Sequence, residues 1–123
     1  MNHIKDKTII VTGGFGFIGQ HVVEKLLKLK AKRIIILDSL DYGNENKAVL
    51  SEKRVHFQKV RLGSISEKEI VNHISGADFC IHLAAEKSKS KNLPDNILKC
   101  NINGTYTLLN ALVNAGVKKI IFS

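Results

Sequence analysis

The sequence predicts an α/β fold, a doubly wound parallel sheet of five strands in the order 3-2-1-4-5, with residues 1–123 forming one domain. Three observations carry this. Five short apolar runs alternate with stretches of helical periodicity. The runs are apolar on both strand faces, as in a parallel sheet covered by helices on both sides. A glycine-rich turn joins the first run to the first helix. The right-handed crossover rule then favours two helical layers, with the switch point between strands 1 and 4.

The elements follow in order. "TIIVT" (Thr8 to Thr12) reads as a buried strand. "TGGFGFIG" (Thr12 to Gly19) is the turn, and a helix is expected near residues 17–30, with Val22, Val23, Leu26, Leu27 and Leu29 as its apolar positions. "RIIILD" (Arg33 to Asp38) is the second strand, "SLDYGNEN" a loop and "KAVLSE" a short helix. Arg54 to Val60 alternates and predicts the third strand. Ser66, with Glu69 three residues on, predicts a capped helix start. "DFCIHLAA" (Asp78 to Ala85) is the fourth strand and "KSKSKN" a loop. Pro94 suits the first turn of a long helix ending near Asn114, and Gly116 lies just past that end. "VKKIIFS" is the fifth strand.

Composition narrows the function classes. The chain is 44% hydrophobic and 24% charged, which is ordinary for a globular domain. Its net charge is +8, yet the nineteen Lys and Arg are dispersed, and the one dense cluster, "KSKSK", has no interleaved aromatics. A solvated basic surface is the expectation, with no nucleic-acid partner. No apolar run approaches the roughly 20 residues of a membrane span, and "MNHIKDK" offers no apolar stretch for a secretory signal. Cys80 and Cys100 fall within apolar or helical patterns, as reduced buried thiols of a cytoplasmic protein do. Histidines 3, 21, 56, 73 and 82 are scattered, so no metal site is expected, and Cys80 with His82 reads as a buried pair. Neither G-x-S-x-G nor Gly-Lys-Ser/Thr occurs.

The turn itself points to chemistry. Gly13, Gly16 and Gly19 give G-x-x-G-x-x-G, and Gly14, Gly16 and Gly19 give G-x-G-x-x-G. With a strand before and a helix after, this is the Rossmann dinucleotide fingerprint. The first glycines allow a tight turn, Gly16 leaves room for a pyrophosphate, and Gly19 lets the helix pack closely. The helix N-terminus then faces the phosphates. Asp38 closes the second strand 19 residues after Gly19, where a carboxylate accepts the ribose hydroxyls and repels a 2′-phosphate. NAD is therefore expected over NADP.

"TGGFGFIG", "LDSL", "HLAA", "NINGT" and "VKKIIFS" together resemble the N-terminal half of the extended short-chain dehydrogenase/reductases. The closest likeness is to the NAD-dependent sugar-nucleotide epimerases and dehydratases. The resemblance implies that Phe17 and Ile18 offer backbone N–H groups to the pyrophosphate, and that Asp38 and Ser39 contact the adenosine ribose. Gly63-Ser64-Ile65 stands where the family carries Gly-Asp-Ile/Leu, so Ser64 and Ile65 are expected near the adenine, with a shorter, neutral side chain replacing the acid. Leu83, Ala84 and Ala85 would line the cofactor; Ala84 and Ala85 also suit a plain strand-to-loop transition. Lys87 would reach the cofactor or remain a solvated loop lysine. Asn101 matches a helix asparagine that bonds neighbouring backbone.

The family's catalytic Tyr-x-x-x-Lys is missing: Tyr42 is followed four positions on by Asn46, and Tyr106 by Asn110. In the resembling enzymes that pair lies beyond the fifth strand, and Ser123 matches the start of their serine-rich strand end. The resemblance thus implies a domain truncated after strand 5, without the catalytic helix and substrate domain: the NAD-binding portion of a cytoplasmic, homodimeric enzyme acting on a nucleotide sugar, itself binding NAD without turnover. The alternative is a non-catalytic NAD-sensing or scaffold module.

Overall fold

A computed structural model describes residues 2–84 and 99–122, with Lys99 and Cys100 described in their backbone only. The strands are β1 (Thr8–Thr12), β2 (Arg33–Asp38), β3 (Val55–Lys59), β4 (Phe79–His82) and β5 (Lys119–Phe122). They form one sheet in the order β3-β2-β1-β4-β5, every pair parallel. The helices are α1 (Phe17–Lys28), α2 (Lys47–Leu50), α3 (Glu67–Ile74) and α4 (Thr105–Asn114), the last entered from a π-helical segment, Lys99–Gly104. Fold class and strand order are those the sequence predicts.

Strand periodicity explains the two cores. Ile10, Ile35, Leu37 and Cys80 face α3 and α4 and pack with Ile70, Ile74, Leu108 and Leu112. Their neighbours Ile9, Val11, Ile34 and Ile36 point the other way and pack with Phe15, Val23, Leu26 and Val49. The central strand β1 is buried along its whole length, as a parallel strand covered on both faces must be.

The ends show where local chemistry governs. Helix α1 stops at Lys28, earlier than its apolar pattern suggests. Lys30 adopts φ +66° and its N–H bonds Leu27 O, while Ala31 N–H bonds Leu26 O, a Schellman closure built on lysine. The same closure ends α4, with Gly116 at φ +76° and Val117 N–H on Leu112 O. Ser66 caps α3 by accepting the Glu69 N–H. Its hydroxyl in turn donates to the Glu69 carboxylate, which takes the place of the reciprocal arm of a full capping box.

Strand β4 is shorter than expected. Asp78 precedes it and uses its carboxylate to accept the Thr8 N–H at 2.9 Å. His82 ends it opposite Thr12, the last residue of β1. Leu83 and Ala84 then leave the strand. The helix expected from Pro94 is described only from Lys99, and there it is π-helical before Thr105; Pro94 lies outside the described residues. Strand β5 forms an edge of the sheet, with Ile121 and Phe122 exposed.

Candidate functional site

The site lies at the carboxyl ends of β1, β2 and β4, around the turn between β1 and α1. Gly13 adopts φ +72° and its N–H reaches Leu37 O at 2.8 Å. Gly16 N–H returns to Gly13 O at 3.0 Å, which folds the turn on itself. Helix α1 then starts from Gly16 with no side-chain cap and no acid in its first turn. Its leading N–H groups, those of Phe17, Ile18 and Gly19, have no partner within the helix. Phe17 and Ile18 are exposed residues, and the helix end that carries these N–H groups is positively polarised.

The four glycines are required for different reasons. A Cβ on Gly13 would meet Ala84 N at 2.9 Å, and one on Gly14 would meet the Ile36 side chain at 2.7 Å. One on Gly19 would run into the Gly13 carbonyl oxygen. These three are demanded by the protein's own packing. Gly16 differs: its φ is −73°, and a Cβ there would meet only Gly13 O, at 3.3 Å. Space is left at the one glycine beside the free N–H groups, the cradle a diphosphate needs.

Asp38 is 8% exposed at the end of β2. Its Oδ2 accepts the Phe15 N–H at 2.9 Å and its Oδ1 the Leu40 N–H at 2.7 Å. The carboxylate is thereby fixed beside the glycine turn, and each oxygen keeps a lone pair for a further donor. The Ser39 hydroxyl accepts the Asp41 N–H at 3.3 Å. Leu83 and Ala84 are half-buried against the turn through Gly13.

Ser64 and Ile65 are placed differently. Val60 N–H bonds Asp38 O at 3.1 Å, so it is Val60 and Arg61 that leave β3 beside Asp38. Ser64 lies in the turn beyond, exposed, with its N–H on Arg61 O, and Ile65 packs into the α3–α4 core. Ala85 and Lys87 lie outside the described residues.

The structure adds residues that sequence patterns did not single out. Gly43 packs on the glycine turn, where a Cβ would meet the Phe15 carbonyl. Thr12 is fully buried, and its hydroxyl accepts the Leu83 N–H at 3.0 Å and the Ala84 N–H at 3.1 Å. With both lone pairs used, its proton goes to His82 Nδ1, 2.6 Å away. His82 is thereby held as the neutral Nε2–H tautomer, which faces the Thr105 hydroxyl at 3.4 Å. The sequence placed Thr12 at the end of the first strand and read His82 inside the fourth as a buried partner of Cys80, and nothing in it joined the two.

Burial lowers the His82 pKa below its ordinary value of 6.5 and pushes the Cys80 thiol up to about 12, leaving it inert. The folded state binds a proton at His82 less readily than the unfolded chain. Stability from this group is therefore complete above about pH 6.5 and falls as the pH drops below that value toward the folded pKa. Urea midpoints at pH 7.5 and 5.5 are expected to fall for the native chain and to fall less for His82→Asn. Equal falls would exclude His82 as the source. Among the described residues no three His, Cys, Asp or Glu side chains cluster to hold a metal ion. No described helix is long and apolar enough to cross a membrane.

Comparison with known proteins agrees with this geometry. Residues 10–123 match the 3-beta hydroxysteroid dehydrogenase/isomerase family. An uncharacterized membrane protein of Methanocaldococcus jannaschii is 34% identical over 98% of this chain and 36% of its own length. A UDP-glucose 4-epimerase of Halalkalibacterium halodurans is 34% identical over 94% of this chain and 34% of its own. The crystal structure of DesIV, a dTDP-glucose 4,6-dehydratase of Streptomyces venezuelae with NAD bound, superposes with a TM-score of 0.78 at 33% identity, covering 92% of this chain and 37% of that one. The chain thus spans about a third of the length of the proteins it matches.

Proposed function

The chain belongs to the 3-beta hydroxysteroid dehydrogenase/isomerase family, and on that footing we propose that it forms the NAD-binding part of a sugar-nucleotide epimerase or dehydratase. The observation that carries the reading is Gly16. It is the glycine of the turn least needed by the fold, and it stands where the free N–H groups of α1 converge. Phe17, Ile18 and Gly19 would hold the pyrophosphate through those groups. Asp38 would accept the adenosine ribose hydroxyls with its remaining lone pairs, and Ser39 lies beside it. Leu83 and Ala84 would wall the crevice past β4, and Ala85 and Lys87 are proposed as further cofactor contacts.

When bound, NAD supplies a hydride acceptor that takes hydrogen from a sugar carbon and returns it. The residues here bind and orient; the only two tyrosines lack a lysine four positions on, so proton transfer is not assigned to them. The proposal extends to a cytoplasmic, homodimeric enzyme whose partners are NAD and a nucleotide sugar, without nucleic acid or membrane. The buried, unpaired Cys80 suits a reducing compartment.

Calorimetric titration tests this. NAD is expected to bind and NADP to bind at least about tenfold more weakly, a difference of about 1.4 kcal/mol. Asp38→Asn, which keeps an acceptor for the Phe15 N–H, is expected to erase most of that preference. A folded chain that gives no heat with NAD would overturn the reading. NAD bound together with a protein partner, and released with it, would favour the sensing module.

A further inference from the structure

Resting on the proposed NAD site, the geometry points to a second element of cofactor choice: Asp41 sequesters Arg61, a cation that would otherwise receive a ribose 2′-phosphate. The placement follows from the strand register. Asp38 pairs with Lys59 across β2 and β3, so the two strands end side by side. Arg61 leaves the sheet two residues beyond Lys59, at the carboxyl end where ligands of such sheets bind. Its side chain turns back across the gap to the loop that follows β2. There Nη1 meets Asp41 Oδ2 at 2.5 Å and Nη2 meets Asp41 Oδ1 at 2.8 Å, a two-pronged pair. Asp41 is three residues after Asp38, so the ion pair and the ribose-binding carboxylate lie on one rim.

The loop that carries Asp41 is itself pinned. Leu40 takes φ +66° with its N–H on Asp38, and Gly43 packs on the Phe15 carbonyl. The Asp41 N–H is held by Ser39. Asp41 is therefore presented to Arg61 by a backbone fixed at both sides. The Arg61 side chain is 47% exposed and that of Asp41 26%, so the pair stands at the solvent edge, accessible to a ligand phosphate. A guanidinium fork fits a phosphate as well as it fits a carboxylate. Two acids thus act against a 2′-phosphate in different ways. Asp38 repels it directly, and Asp41 occupies the cation that would compensate.

The test is calorimetry on the whole chain with NAD and NADP at 0.15 M salt, where screening limits a purely long-range charge effect to a few-fold. Asp41→Ala is expected to leave the NAD dissociation constant within about twofold and to tighten NADP about tenfold. Asp41→Ala with Arg61→Gln is expected to lose that gain. Amide circular dichroism confirms folding of each variant. An NADP affinity unchanged in Asp41→Ala while NAD still binds would overturn the lock alone. A gain that survives in the double variant would overturn it as well. Failure of the folded native chain to bind NAD would overturn the underlying site and the lock with it.

Discussion

Gly19→Ala is expected to lower stability by about 3 kcal/mol or more, the upper range of over-packing costs, because the new methyl meets backbone rather than a movable side chain. The atoms in its way are the Gly13 carbonyl and the Gly14 Cα, both part of the turn that must stay folded. Helix α1 would have to move off the turn, and NAD binding would go with it. Gly16→Ala is the informative companion. Its Cβ meets only Gly13 O at 3.3 Å, so a loss of about 1 kcal/mol or less is expected. Binding, in contrast, should fall by at least about tenfold, since the methyl fills the diphosphate approach. Urea denaturation and NAD titration of the two variants separate fold from site. A Gly16→Ala protein that binds NAD as well as the native chain would remove the central support for the proposed function.

Thr12→Val should cost about 2–4 kcal/mol, although it changes the shape of the side chain little. The hydroxyl it removes serves three groups at the switch point: Leu83 N–H, Ala84 N–H and His82 Nδ1. Leu83 N–H keeps the Thr12 carbonyl at 3.1 Å. The other two are left without this partner, and a buried polar group so orphaned costs about 1–3 kcal/mol. Thr12→Ser, which retains the oxygen, should recover most of the loss in thermal or urea unfolding. If valine and serine destabilise alike, the cost lies in packing and the hydroxyl network is not its source.

The architecture was legible because it rests on periodicity. Ile9 to Val11 and Ile34 to Leu37 are apolar without interruption, and a parallel sheet covered on both sides buries both faces of such runs. The glycine turn and Asp38 were legible because backbone sterics and a carboxylate at a strand end constrain residue identity directly. What escaped was set by tertiary contact. Lys30 ends α1 in a conformation that the sequence habitually marks with glycine. Gly43 reads as an ordinary loop residue until the loop folds onto Phe15. Thr12 and His82 are 70 residues apart, and no local pattern couples them. Ser64 was placed by matching a short motif, whereas the hydrogen bond from Val60 to Asp38 puts Arg61 at the strand end.

The order β3-β2-β1-β4-β5 also governs how the chain must assemble. The first of these five strands to leave the ribosome is the middle one in their sheet. Its β2 side can close once residue 38 is out, but its β4 side waits for residues 79–82. At about 5–20 residues per second, that is a delay of a few seconds during translation. Throughout it, one edge of the strand that ends up buried along its whole length has backbone groups with no neighbour. Distant parallel pairings of this kind are slow to form because the intervening loop entropy is lost first. The same central placement that shields β1 in the native state makes its free edge the segment of the nascent chain most in need of protection from aggregation.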